Sequence, residues 1–137
     1  MTDLKDKNII VTGASGGIGN SIIQKLNQEG ANILASGTRI EKLEELKDKY
    51  ENIKTLKFDI SQSDKIEEFV ENVTSQLTGL DILVNNAGVG GGGRKIEDID
   101  LDVFNEMFEV HVRGSFFATQ AVLPFMKRKK NGNIINI

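Results

Sequence analysis

The stretch Thr12-Gly13-Ala14-Ser15-Gly16-Gly17-Ile18-Gly19 separates a short apolar run from a segment of helical spacing, and it constrains the fold more than any other part of the chain. A turn this poor in Cβ atoms lets strand, helix and ligand approach at backbone distance. It also leaves amide groups at the start of a helix free to face an anion, with the positive end of the helix dipole behind them. Such a unit opens an α/β sheet whose ligand sits in a crevice at the carboxyl ends of the strands. Glycines also serve tight packing of strand on helix, so nucleotide binding is inferred from the position of the turn as well as its composition. A phosphate loop of the nucleotide-hydrolase type is excluded, because no Gly-Lys-Ser/Thr follows.

Beyond the turn, strand-like and helix-like segments alternate. Asn8 to Thr12 is predicted as the first strand, and Gly17 to Glu29 as a helix with Ile18, Ile22 and Leu26 on one face. Ala31 to Ser36, Ile53 to Phe58, Asp81 to Asn85 and Asn133 to Ile137 are the further predicted strands. Between them come a charged helix from Ile40 to about Tyr50, with Leu43 and Leu46 inward, and a helix carrying Ile66, Phe69, Val70, Val73 and Leu77. A long helical segment from about Leu101 to Lys129 is expected to bend near Gly114, and Gly88 to Gly93 to form a mobile loop. The sum is one domain over residues 1–137, a Rossmann-type doubly wound parallel sheet with helices on both faces, cut after strand five.

Composition narrows the function. The 137 residues carry a net charge of −3 with both signs interspersed, which argues against nucleic acid or an anionic membrane as partner. The basic cluster Lys127 to Lys130 falls at a predicted helix end, where the dipole favours cations. With no cysteine and one histidine, neither a disulfide framework nor a metal site is expected. No signal peptide or membrane-spanning segment is legible, so a cytoplasmic protein is expected.

The Thr12 to Gly19 turn resembles the Thr-Gly-x-x-x-Gly-x-Gly signature of the short-chain dehydrogenase/reductase family, and Asn85-Asn86-Ala87-Gly88 is similar to its second signature. Lys7 to Asp59 looks especially like the bacterial 3-oxoacyl-carrier-protein reductases. The resemblance implies an oxidoreductase of small carbonyl or alcohol substrates whose whole protein is a homo-oligomer, a dimer or tetramer. It implies that Gly13, Ala14, Ser15, Gly16, Gly17, Ile18 and Gly19 wrap the coenzyme diphosphate and that Asp59 and Ile60 border the adenine. Asn85, Asn86, Ala87 and Gly88 would line the cleft, the two asparagines also bridging neighbouring strands. The end of the second strand reads Ser36-Gly37-Thr38-Arg39, without the carboxylate that would bind the ribose hydroxyls of NAD. Thr38 and Arg39 suit a 2′-phosphate, so NADP is expected over NAD.

In the family a tyrosine moves the proton, helped by a lysine four residues on and a serine. The only such pair here, Tyr50 and Lys54, is rejected because Asn52 turns the chain and Ile53 begins a strand. The chain is therefore expected to be a cofactor-binding fragment, inactive alone, or else a non-catalytic nucleotide-binding module. A methyltransferase of similar layering would need an acid after the second strand and a different glycine turn. His111 takes the place of the family's helix asparagine, as a relay residue or a structural one. Phe116, Phe117, Val122 and Phe125 are expected to be uncovered on a helix that relatives use for subunit contacts, giving self-association or poor stability.

Overall fold

The computed structural model describes residues 3–137. Five parallel strands, β1 (Asn8–Val11), β2 (Asn32–Gly37), β3 (Ile53–Lys57), β4 (Ile82–Asn85) and β5 (Asn133–Asn136), lie in the order β3-β2-β1-β4-β5. The chain therefore winds outward from β1 in one direction, then returns to build the other half, and this reversal is what parts the loops above β1 and β4. Pairing is in register across the centre, Ile9 beside Ile33 on one flank and Ile82 on the other.

Strand residues alternate between two cores, as the pleat requires. Ile9, Val11, Ile33, Ala35, Ile82 and Val84 face Ile23, Leu43 and Leu46 of helices α1 (Gly17–Gln28) and α2 (Ile40–Lys49). Ile10, Leu34 and Leu83 face the opposite layer, made by α3 (Ile66–Leu77) and α5 (Ser115–Lys129). All five apolar residues predicted for the α3 stripe are buried. No helix among the described residues is long and apolar enough to cross a membrane.

Two expectations about helix faces are corrected. In α1 the buried positions are Gly19 and Ile23, with Ile22 and Leu26 half-buried, whereas Ile18 is 64% exposed. Ile18 stands in the first turn, above the end of the sheet, where there is a cleft instead of a core. In α5 Val122 is fully buried against the α3 layer, and Phe125 packs on the same cluster beneath the Arg128 guanidinium. Only Phe116 and Phe117 of that set are exposed.

The long C-terminal helical segment is interrupted, but by a π-helical turn, Glu109–Gly114, between α4 (Leu101–Phe108) and α5. Gly114 ends that turn pressed on Ile60, where an added Cβ would lie 2.9 Å from the Ile60 side chain and 3.0 Å from its carbonyl oxygen. The extra residue of a π turn bulges the helix toward the sheet end, a placement common at functional sites.

At the opposite end of the sheet, Asp81 ties three elements together. Its carboxylate accepts from the Asn8 amide at 2.9 Å and from the Lys129 ammonium, while its carbonyl accepts from the Asn133 amide. Burial alone would raise its pKa, but the Lys129 and Asn8 hydrogen bonds and the charges of Lys129 and Lys7 outweigh it and hold the group below the usual carboxylate value. A depressed carboxylate pKa stabilises the fold above the unfolded value and loses that contribution as pH falls through the folded one. Asp81→Asn is expected to lower unfolding free energy by about 2 kcal/mol at neutral pH. In urea titrations the gap from wild type should close below about pH 4; a gap independent of pH would contradict the ion pair.

Candidate functional site

A cleft of about 860 Å3 opens at the carboxyl ends of the strands, between the exits of β1 and β4. Its walls come from the glycine turn, the ends of β2 and β3, the segment after β4, and the π turn with the end of α4.

The floor is set by backbone contact. Gly13 has φ +63°, and a Cβ there would lie 2.6 Å from Ala87 Cα. Gly19 is equally confined, a Cβ reaching 2.3 Å from the Gly13 carbonyl oxygen. The buried Thr12 hydroxyl accepts from the amides of Asn86 and Ala87, at 3.1 and 3.0 Å, and donates to the Val84 carbonyl. Asn86 Nδ2 returns two bonds, to the carbonyls of Thr12 and Gly13, each 3.1 Å. Residues on either side of the strand-order reversal are thereby fastened directly to each other.

Over this floor stands the start of α1. The residue before it is Gly16, which has no side chain to cap the helix, and the first-turn amides of Gly17, Ile18 and Gly19 find no acceptor among the described residues. Unpartnered amides at a helix start, aimed into a cleft, fit a phosphate group.

Ser15, Gly16, Gly17, Ile18 and Gly19 line the cleft together with Gly13. Ala14 does not: its side chain is buried in the α1–α2 core, and its amide donates to the Ser36 carbonyl at 2.9 Å. Asn86, Ala87 and Gly88 line the cleft, but Asn85 is 4% exposed and points away from it. Asn85 Nδ2 bridges to Asn136 Oδ1 on β5 at 2.9 Å and to Thr119 Oγ1 on α5 at 3.2 Å. Of its two expected roles, the geometry gives it the bridging one.

On the β2–β3 side lie Thr38, Arg39, Asp59 and Ile60. The Arg39 guanidinium folds back over the glycine turn and donates to the Ser15 carbonyl. Asp59 is anchored in a tight turn, accepting from the Ser61 amide at 3.0 Å and hydroxyl at 2.8 Å. On the β4 side His111 reaches Val89, its Nε2 lying 2.7 Å from the carbonyl oxygen and 3.1 Å from the amide nitrogen. A Cβ on Gly88 would come within 2.6 Å of the same ring, so the imidazole is seated on the loop that leaves β4. That loop is irregular, with Gly92 and Gly93 at positive φ.

Phe58, Ser61, Val89, Glu106 and Val110 also line the cleft. No motif in the sequence marks them. Ser61 was accessible as the partner two residues after Asp59. Glu106 and Val110 lie four apart on one helix face, a spacing that carries no hint of which cavity the face overlooks. Tyr50 ends α2 and packs on the α1–α2 core, while Lys54 lies on β3 with its ammonium on the Gln76 carbonyl, so the two do not share a helix face.

A family model described as short chain dehydrogenase matches residues 7–137. The chain belongs to the short-chain dehydrogenase/reductase family. It is 32% identical to an uncharacterised oxidoreductase of Staphylococcus saprophyticus over the whole of this chain, and spans 56% of that relative's length. Among solved structures it is similar to a metagenomic short-chain oxidoreductase in complex with NADP, at a TM-score of 0.87 and 31% identity, covering 98% of this chain and 63% of that one. It is also similar to the 3-ketoacyl-(acyl-carrier-protein) reductase of Brucella melitensis complexed with NADH, at a TM-score of 0.89 and 26% identity, covering 97% and 57%.

Two glycines of the turn, Gly13 and Gly17, should respond unequally to a methyl group. Gly13→Ala is expected to cost about 3 kcal/mol, from the left-handed backbone and the displaced Ala87. Gly17 is open to solvent with nothing within 4 Å, so Gly17→Ala should change the unfolding free energy by no more than about 0.5 kcal/mol. Equal losses for both would contradict the close approach.

Proposed function

We propose that this chain forms the coenzyme-binding part of an NADP(H)-dependent oxidoreductase that interconverts a small-molecule carbonyl and its alcohol. What carries the proposal is the uncapped start of α1 opening on the cleft: three free amides and a helix dipole where a diphosphate would sit. Gly13 and Ser15 to Gly19 hold that diphosphate, with the Ser15 hydroxyl an added donor. Asp59 and Ile60 border the adenine, and Asn86, Ala87 and Gly88 run beside the nicotinamide half. Thr38 and Arg39 read the 2′-phosphate, since a guanidinium pairs with phosphate and no carboxylate stands at the end of β2 to repel it. When bound, the coenzyme supplies or takes the hydride.

His111 acts here as a positioning residue. Its ring holds the loop after β4 against the π turn, and so fixes the wall beside Gly88 and Val89. The likeness to the 3-ketoacyl-(acyl-carrier-protein) reductase makes a 3-oxoacyl thioester one candidate carbonyl. The chain's single tyrosine, Tyr50, lies outside the cleft lining, so no phenol is available there as general acid. The 137 residues by themselves thus act as a nucleotide-binding module, in a cytoplasmic setting consistent with the absence of cysteine.

Fluorescence titration of the chain should show NADPH binding at least about tenfold tighter than NADH, a gap of about 1.4 kcal/mol. No reduction of acetoacetyl probes should appear in the same cuvette. A folded sample that ignores both coenzymes at millimolar concentration would overturn the proposal.

The protein is further proposed to be a homo-oligomer. Phe104, Phe108, Val112 and Phe116 recur every four residues along α4, the π turn and α5, and all four are exposed. An apolar stripe of this length is uncommon on a free surface. Sedimentation should show self-association that Phe108→Glu weakens; a monodisperse wild-type monomer would rule the stripe out as a contact.

A further inference from the structure

Gly114 has φ −58° and ψ −50°, the ordinary right-handed helical conformation, so its backbone gives no reason for a glycine. Inside a helix glycine is less favourable than alanine. The reason is a neighbour. A Cβ at Gly114 would lie 2.9 Å from Ile60 Cγ1, 3.0 Å from the Ile60 carbonyl oxygen and 3.1 Å from Ile60 Cγ2. One of these atoms is main chain and the other two sit on a stiff branched Cβ, in a residue 6% exposed, so none of them swings aside freely. One turn earlier, the buried Val110 belongs to the same core cluster as Ile60. The π turn is thus anchored through Val110 and Gly114 in the layer that holds the segment after β3. Between these two residues stands His111, whose Nε2 lies 2.7 Å from the Val89 carbonyl oxygen and 3.1 Å from its amide nitrogen. A Cβ at Gly88 would lie 2.6 Å from Cε1 of the same ring.

We propose that Ile60 and Gly114 are positioning residues for the wall of the cleft on the β4 side. Their contact sets where the π turn stands, the π turn sets where the His111 ring stands, and the ring holds Gly88 and Val89. Gly114 does not itself line the cleft, so it acts on a ligand only through these other residues. One wall is therefore aligned by a residue from the end of β3, on the facing side. Its use rests on the coenzyme site proposed above: a wall held in place beforehand costs less to order when NADPH binds.

His111 is the chain's sole histidine, so its ring Hε1 resonance is assigned without ambiguity in NMR spectra of the ligand-free chain. Gly114→Ala should move that resonance and the Val89 amide cross-peak, and weaken NADPH binding about tenfold. Val122→Ala supplies the control for mere loss of stability, since Val122 is fully buried in α5 and lies outside the cleft lining. It should lower Tm yet leave both signals in place and NADPH affinity within about twofold of wild type. Ile60→Ala removes the support and should move the same two signals. In Ile60→Ala/Gly114→Ala the new methyl group takes up space that Ile60 gives up, so the signals should lie nearer wild type than in either single variant. Signals unmoved by Gly114→Ala, moved equally by Val122→Ala, or no nearer wild type in the double variant would overturn the inference. Should Gly114→Ala not fold, Ile60→Ala against Val122→Ala decides it, and signals that stay in place in Ile60→Ala would overturn it. A folded wild type that binds no NADPH would strike the coenzyme site, while the ligand-free spectra still decide the positioning.

Discussion

The cleft depends on a contact between two pieces of main chain. Gly13 lies against Ala87 with no room for a methyl group, and the Thr12 hydroxyl and Asn86 amide close the same gap with four further hydrogen bonds. A parallel sheet whose order reverses at β1 sends its loops in opposite directions, and unrestrained loops would leave a crevice of indefinite width. Fixing the exits of β1 and β4 to each other at backbone distance makes the crevice a site of fixed size. The orphan amides of α1 are then held at a constant height above it, the condition under which preorganised dipoles favour an anion.

Much of this was legible because apolar runs and one periodicity carried it. The runs located the strands, and the three- and four-residue spacing of Ile66, Phe69, Val70, Val73 and Leu77 defined the inner face of α3; the division of Ile9, Val11, Ile33 and Ala35 from Ile10 and Leu34 came with the fold. Periodicity groups residues on a face without saying what the face meets. Ile18 shares the period of Ile22 and Leu26, yet its turn of α1 has risen past the sheet and looks into the cleft. Val122 lay in an apolar run that gave no sign of which members the α3 layer would cover. The motif residues behaved similarly: Ala14 and Asn85 belong to contiguous signatures, but alternate positions along the chain point to opposite sides, so one turns into the core and the other toward β5 and α5.

The π turn shows a different limit. Gly114 marked a point of weakness in a long helix, but the sequence did not say that the break is a π turn or that Ile60, distant in sequence, lies against the glycine. That contact joins the segment after β3 to the helical wall across the cleft mouth. The two ends of the site are thus coupled through packing as well as through the sheet, and a close-packed contact of this kind has little tolerance for added volume.

The imidazole of His111 places one nitrogen between the N–H and the C=O of a single residue, Val89. When that nitrogen is bare it can receive the N–H; when it bears hydrogen it can give it to the C=O. Exchange of tautomer therefore swaps one tether for another without requiring any heavy atom to travel. The chain's sole histidine thus props the loop against the helical wall in either neutral tautomer, and the crevice keeps its side whichever ring nitrogen carries the hydrogen.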